Sequence, residues 1–182
     1  MVGMKYDPHK HHRRSIRLKG YDYSQSGAYF VTICINEGLH TLGEIHDDQI
    51  YPSSAGEMVQ TVWNEMPLYY PGVELDAFIL MPNHLHGIII LNHKNIVETK
   101  TPMTLGDVIH RFKSLTTTKY RRGVNEFGWT PFPKKLWQRN YYEQIVRNEE
   151  SLEKIRTYIF NNPLAWESEP CHLQTYHPQP EK

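Results

Sequence analysis

The chain has 182 residues, 39% of them hydrophobic and 12% aromatic, enough for one globular domain with a real core. No apolar run approaches the length of a membrane span, and the basic N-terminus lacks the apolar stretch of a secretory signal, so the expectation is a cytoplasmic protein without a membrane contact. Twenty basic residues balance twenty acidic ones, but unevenly: residues 1–19 hold Lys5, Lys10, Arg13, Arg14, Arg17 and Lys19 against Asp7 alone, so a basic arm precedes a body of net charge −5.

An arm of this kind either tracks phosphates or is a solvated terminus. His9, His11 and His12 belong to it. The two cysteines, Cys34 and Cys171, make neither a CxxC pair nor a disulfide framework, and both read as reduced and structural. After a turn at Ser26-Gly27, Ala28–Ile35 is rich in β-branched and aromatic residues and predicts a central strand. Weak strands around Leu42–Ile45 and Gln49–Tyr51 predict a short hairpin. Ser53 or Ser54 caps a helix running to about Leu68, with Met58, Val62 and Met66 as its apolar stripe. Pro71-Gly72 then turns the chain into a strand over Val73–Leu80.

The next strand carries the most informative pattern. In Met81-Pro82-Asn83-His84-Leu85-His86-Gly87-Ile88, two imidazoles stand one residue apart, and side chains at i and i+2 project from one strand face about 7 Å apart along the chain. They form either a divalent-metal site or a pair of half-buried polar residues. A histidine-triad nucleotide hydrolase would need a third alternating His, and position 88 is Ile. Asn92–Thr101 is a polar linker. Thr104 caps a second helix to about Arg121, with Leu105, Val108, Ile109, Phe112 and Leu115 toward the core. Its other faces carry Arg111, Lys113, Lys119, Arg121 and Arg122 among hydroxyls, with Asp107 as the one balancing charge, a composition suited to phosphate oxygens or to a solvated face.

Leu136-Trp137-Gln138-Arg139-Asn140-Tyr141-Tyr142-Glu143 is strongly aromatic, and a final helix starts near Asn148 and stops before Pro163. Tyr158 and Asn162, four apart, share one face of it, either presented together to the histidine pair or serving as a core aromatic and a cap.

Four segments in order, Arg13-Arg14-Ser15-Ile16-Arg17-Leu18-Lys19-Gly20-Tyr21-Asp22-Tyr23, Met81-Pro82-Asn83-His84-Leu85-His86, Trp137-Gln138-Arg139-Asn140-Tyr141-Tyr142 and Tyr158-Ile159-Phe160-Asn161-Asn162-Pro163, resemble the single-tyrosine HUH transposases of the IS200 type, and within them the REP-associated tyrosine transposases. The resemblance spans about residues 13 to 167 and implies a ferredoxin-like α+β fold: an antiparallel sheet with the HUH pair on a central strand and helices packed on one face. With the basic arm that the charges mark over 1–19, this divides the chain into one domain over 20–168 and a tail over 169–182. By motif position it makes Tyr158 the nucleophile, with Tyr141 and Tyr142 as rivals, and His84, His86 and Asn162 the holders of a divalent metal, Mg2+ or Mn2+. Arg13, Arg14, Arg17, Lys19, Arg111, Lys113, Lys119, Arg121, Arg122 and Arg139 are the candidate DNA contacts. The implied activity is metal-dependent nicking and strand transfer on single-stranded DNA bearing REP-like hairpins, through a covalent 5′-phosphotyrosine, by a monomer or homodimer. Insertion-sequence relatives usually carry Gln at the amide position, so Asn162-Pro163 resembles the REP-associated branch and weakens any expectation of self-mobility. The alternative is a domesticated hairpin-binding protein that does not cleave.

Overall fold

The computed structural model describes residues 25–92 and 103–166. The basic arm with Arg13, Arg14, Arg17 and Lys19, the C-terminal tail and nearly all of the polar linker lie outside the described residues. Among the described residues, six strands and three α-helices follow in the order β1 (Gly27–Cys34), β2 (Gly43–His46), β3 (Gln49–Pro52), α1 (Ser54–Tyr69), β4 (Val73–Met81), β5 (His84–Leu91), α2 (Leu105–Phe127), β6 (Tyr142–Val146) and α3 (Glu149–Asn161). Four strands form one antiparallel sheet ordered β4-β5-β1-β6, and β2 and β3 pair as a separate hairpin. With that hairpin and the final helix α3 set aside, the chain runs strand-helix-strand-strand-helix-strand, the ferredoxin-like arrangement, and β5 lies inside the sheet as expected.

Alternation along the strands sorts side chains into two layers. Tyr29, Val31 and Ile33 on β1 and Leu85, Ile89 and Leu91 on β5 join the main core with Val59, Val62, Trp63 and Met66 of α1 and Leu105, Val108, Ile109 and Phe112 of α2. Gly87 belongs to this layer because the Trp63 indole packs where its Cβ would stand. The intervening residues Phe30 and Ile88 face the other way and pack with Ile155 and Ile159 of α3. Two helices therefore cover one face, while the third crosses the opposite face, where His84 and His86 point; this corrects the expectation that the helices pack on one face, because the apolar side chains Phe30 and Ile88 give the second face a core of its own.

Helix signals act as read at the starts: Ser53 Oγ accepts from Gly56 N, and Thr104 and Asp107 form a capping box. In α1 the buried stripe runs through Val59 rather than the half-buried Met58. Helix α2 runs six residues beyond the expected Arg121. Gly123 does not end it, since it is buried against Trp129, and the stop comes at Gly128, whose φ of 69° is the left-handed cap. Leu115 is 37% exposed and the buried position beside it belongs to Thr116, a correction to the expected core stripe. Strand β6 is the element the sequence reading did not separate from its aromatic neighbourhood. Cys34, buried at the end of β1, is disulfide-bonded, which corrects its reading as reduced; two cysteines without motif spacing carry no pairing information.

Candidate active site

His84 and His86 open β5 directly after the Pro82-Asn83 turn, and the pleat sends both rings to the α3 side. Both are buried, at 4% exposure each. Their Nε2 atoms face one another at 3.1 Å. Ligands at right angles about one ion, each about 2.1 Å from it, stand about 3.0 Å apart, and tetrahedral ones about 3.4 Å apart. At the observed separation both nitrogens would be able to hold one divalent ion. Among the described residues no group of three His, Cys, Asp and Glu side chains converges, so the remaining positions would fall to the Asn162 amide, water or substrate oxygens.

Burial holds both imidazoles neutral. Desolvation pushes the His84 pKa down to about 4, partly opposed by a hydrogen bond with the Asn162 side chain. Desolvation, then the neighbouring His84, pushes His86 well below its ordinary range. A neutral ring keeps the lone pair a metal needs. Each Nδ1 has its own partner. Asn83 Oδ1 accepts from His84 Nδ1 at 2.7 Å, while the Asn83 amide nitrogen donates to Gly38 O at 3.5 Å. An acceptor at Nδ1 leaves the His84 lone pair on Nε2. Thr32, directly across from His86 in the β1–β5 register, places Oγ1 2.8 Å from His86 Nδ1. Its hydroxyl both donates and accepts, so it suits either tautomer of His86, including the Nδ1-protonated one that metal ligation requires.

Helix α3 brings the remaining pieces. Capped by Asn148 and ended by the turn at Asn162-Pro163, it sets Tyr158 half-buried with Oη 3.5 Å from His86 Nε2. Phe30 fixes the rings from beneath: it stacks on His86 at 5.5 Å and meets Tyr158 edge-on at 6.0 Å. Asn162 is buried beside His84. The four residues chosen from the sequence, His84, His86, Tyr158 and Asn162, therefore come together. The rival Tyr141 is 8% exposed and built into the main core, where the Lys113 ammonium lies over its ring. Tyr142 sits on β6 opposite Thr32 and meets Phe30 edge-on.

The basic residues are placed less uniformly. Helix α2 lies across the sheet from the histidines, so its charges form a separate surface. Lys113 is turned inward: Nζ donates to the carbonyls of Gln138 and Asn140 at 3.0 Å each, and burial, with Lys135 nearby, lowers its pKa to about 8. Its task is to hold the Trp137–Asn140 segment, aided by Trp137 Nε1 donating to Thr116 Oγ1 at 2.8 Å. Arg122 pairs with Glu126, an acid within the longer helix, so Asp107 is not the sole balance. Arg111 and Arg121 lie exposed over the rings of Tyr70 and Phe132, Lys119 is half-buried, and Arg139 is exposed on the clamped segment.

Three site residues escaped the sequence reading. Asn83 adjoins the motif, Thr32 is 54 residues from His86, and Trp166 continues the Tyr158–Asn162 spacing by four more positions. That last interval is a signal the sequence carried.

A family model described as "Transposase IS200 like" matches residues 57–162, more than half of the chain. The chain belongs to the IS200-like transposase family. It is 37% identical over 183 residues to an uncharacterised Haemophilus influenzae protein, covering 93% of this chain and 98% of that one. A second protein of that organism, provisionally named a REP-associated tyrosine transposase, is 24% identical over 151 residues, covering 79% of this chain and 73% of the other. Among solved structures, a REP-associated tyrosine transposase bound to a REP hairpin superposes with a TM-score of 0.55 at 18% identity, covering 83% of this chain and 74% of that one, which is likeness of fold.

Proposed function

We propose that this chain nicks and rejoins single-stranded DNA beside REP-like hairpins, with Tyr158 as the nucleophile and His84, His86 and Asn162 as holders of Mg2+ or Mn2+. The observation that carries the reading is the convergence of Tyr158 Oη and both Nε2 atoms, with neutral imidazoles, at the junction of α3 and β5. The cation supplies Lewis-acid charge that favours the phenolate and spreads the negative charge of the phosphate; imidazole ligands favour Mn2+ over Mg2+. Oη of Tyr158 attacks phosphorus and gives up its proton. The P–O3′ bond breaks, O3′ leaves as a free 3′-OH, and the 5′ end of the other fragment stays joined to tyrosine. Attack by another 3′-OH reverses the step and joins strands without an external energy source.

Exposed Arg111, Arg121, Arg122 and Arg139, with Lys119 and the N-terminal basic residues Arg13, Arg14, Arg17 and Lys19, contact the DNA backbone. Incubating the protein with labelled hairpin oligonucleotides carrying single-stranded extensions, with and without Mn2+, tests the reading. Wild type forms a covalent adduct in the presence of Mn2+, and peptide mapping places it on Tyr158. Tyr158→Phe keeps the ring and binds DNA but forms no adduct; His84→Ala and His86→Ala stay folded and lose metal-dependent cleavage. A wild type that shifts the oligonucleotides in a gel without any adduct is a binder only, and an adduct on Tyr141 or Tyr142 moves the nucleophile.

A further inference from the structure

Tyr158, Asn162 and Trp166 recur at intervals of four, and the turn after α3, Asn162–Ala165, carries the spacing past the helix end. Their side chains bracket the histidine pair. The Tyr158 ring lies 5.2 Å from His86, and the Trp166 indole lies 6.1 Å from His84, nearly parallel to it at 23°. The indole is half-buried, not sealed into either core. Among the described residues its other ring neighbour is His40, exposed in the loop after β1, 5.2 Å away and tilted by 60°. A tilted, solvent-facing imidazole holds an indole weakly and can swing aside, which leaves an aromatic surface beside the imidazoles.

The geometry points to a nucleobase-stacking subsite at Trp166, with His40 as its movable rim, that takes an unpaired base next to the phosphate bound at the histidines. The inference rests on the DNA-processing reading and deepens it. A strand whose phosphate sits between Tyr158 and His84 must carry the neighbouring base away from Tyr158, and Trp166 is the aromatic surface on that side. Every base has a π-face, so stacking on an indole accepts unpaired DNA without reading its sequence. It also opposes rotation of the strand about the reacting phosphate.

The test uses the full chain in EDTA, so that no cleavage occurs. Hairpin oligonucleotides carry 2-aminopurine at one position of the single-stranded extension at a time, and its fluorescence is quenched by stacking. Wild type quenches the probe at one position of the extension. Trp166→Ala relieves that quench and weakens binding of the same oligonucleotide about 5- to 150-fold, the range for loss of one stacked base. Trp166→Leu, which keeps apolar volume for folding but has no π-face, behaves alike, and Trp166→Phe retains most of the quench. Calorimetric Mn2+ affinity without DNA stays at the wild-type value in Trp166→Phe and Trp166→Leu. Unchanged quench and DNA affinity in Trp166→Leu overturn the subsite. So does a loss of Mn2+ affinity in that variant with DNA affinity kept, which would make the indole a support for His84. Wild type that binds none of the oligonucleotides overturns the DNA-processing reading itself, and the subsite with it; binding without any position-specific quench overturns the subsite alone.

Discussion

At the scale of single residues, the site is governed by which nitrogen of each imidazole carries its proton. Asn83 presents a carbonyl to His84 and so allows one tautomer, whereas Thr32 presents a hydroxyl to His86 and allows both. A proton between the two Nε2 atoms relieves lone-pair repulsion at 3.1 Å; a cation held by both nitrogens would displace that proton to Nδ1, where Thr32 would accept it. Thr32→Val keeps the shape and removes the acceptor. It should weaken Mn2+ binding about 10- to 100-fold in calorimetry while leaving the fold unchanged by circular dichroism; wild-type affinity would make Thr32 a bystander. Burial of the pair also has a consequence for stability. Because the folded pKa of His84 lies near 4, below the unfolded 6.5, the unfolded chain binds protons that the folded chain refuses as pH falls. The stabilisation is present above 6.5 and is lost as pH falls toward 4, roughly 2 kcal/mol between pH 7 and pH 5 from this residue. Urea midpoints of metal-free protein should drop over that interval, and less so in His84→Gln.

At the scale of elements, the position of α3 decides whether Tyr158 reaches the histidines, and one ion pair does much to hold it. Arg156 donates from Nε to Asp76 Oδ1 at 2.9 Å and from Nη2 to Asp76 Oδ2 at 2.7 Å, a two-pronged contact between α3 and β4. The guanidinium hydrogen bonds hold the Asp76 carboxyl below its usual pKa range. Asp76 sits where the β4–β5 register shifts between Leu75 and Phe78, so that both of those apolar side chains reach the main core, while Ala77 and Ile79 pack on the α3 side. Glu153 and Glu149 flank the same guanidinium. Arg156→Gln and Asp76→Asn should each slow adduct formation about 10- to 100-fold through misplacement of Oη, with DNA affinity retained. The reversed pair Asp76→Arg with Arg156→Asp should recover part of the rate, and equal loss of DNA affinity in the single variants would argue against a positioning role. The sequence marks the ends of α3 through Asn148 and Pro163, yet contains no local sign of the Asp76–Arg156 contact, whose partners are 80 residues apart.

At the scale of the whole molecule, the sheet separates two layers of different character. The α3 side holds the imidazoles and the tyrosine; the α2 side presents Arg111, Arg121 and Arg122 to solvent, away from them. The N-terminal residues add six positive charges within 1–19. If half of these meet phosphates, deletion of 1–19 should make the slope of log affinity against log salt shallower by about 2 to 3, while Mn2+ binding at His84 and His86 stays as in wild type; an unchanged slope would leave the α2 surface and Arg139 as the backbone contacts. The sequence by itself determined the features that depend on short-range periodicity: alternation put both histidines on one face of β5, a four-residue interval put Tyr158 and Asn162 on one face of α3, and caps set the starts of all three helices. Charge could be counted but not placed: Lys113 reads as one more cation on a basic helix and is in fact spent on two backbone carbonyls. Only the tertiary structure decided that α3 crosses the sheet opposite α1 and α2, that β1 lies beside β5 so that Thr32 meets His86, and that Trp166 returns to His84. These contacts join residues far apart in the chain, and their partners are chosen by the packing of two cores on the two faces of one sheet, not by any local pattern.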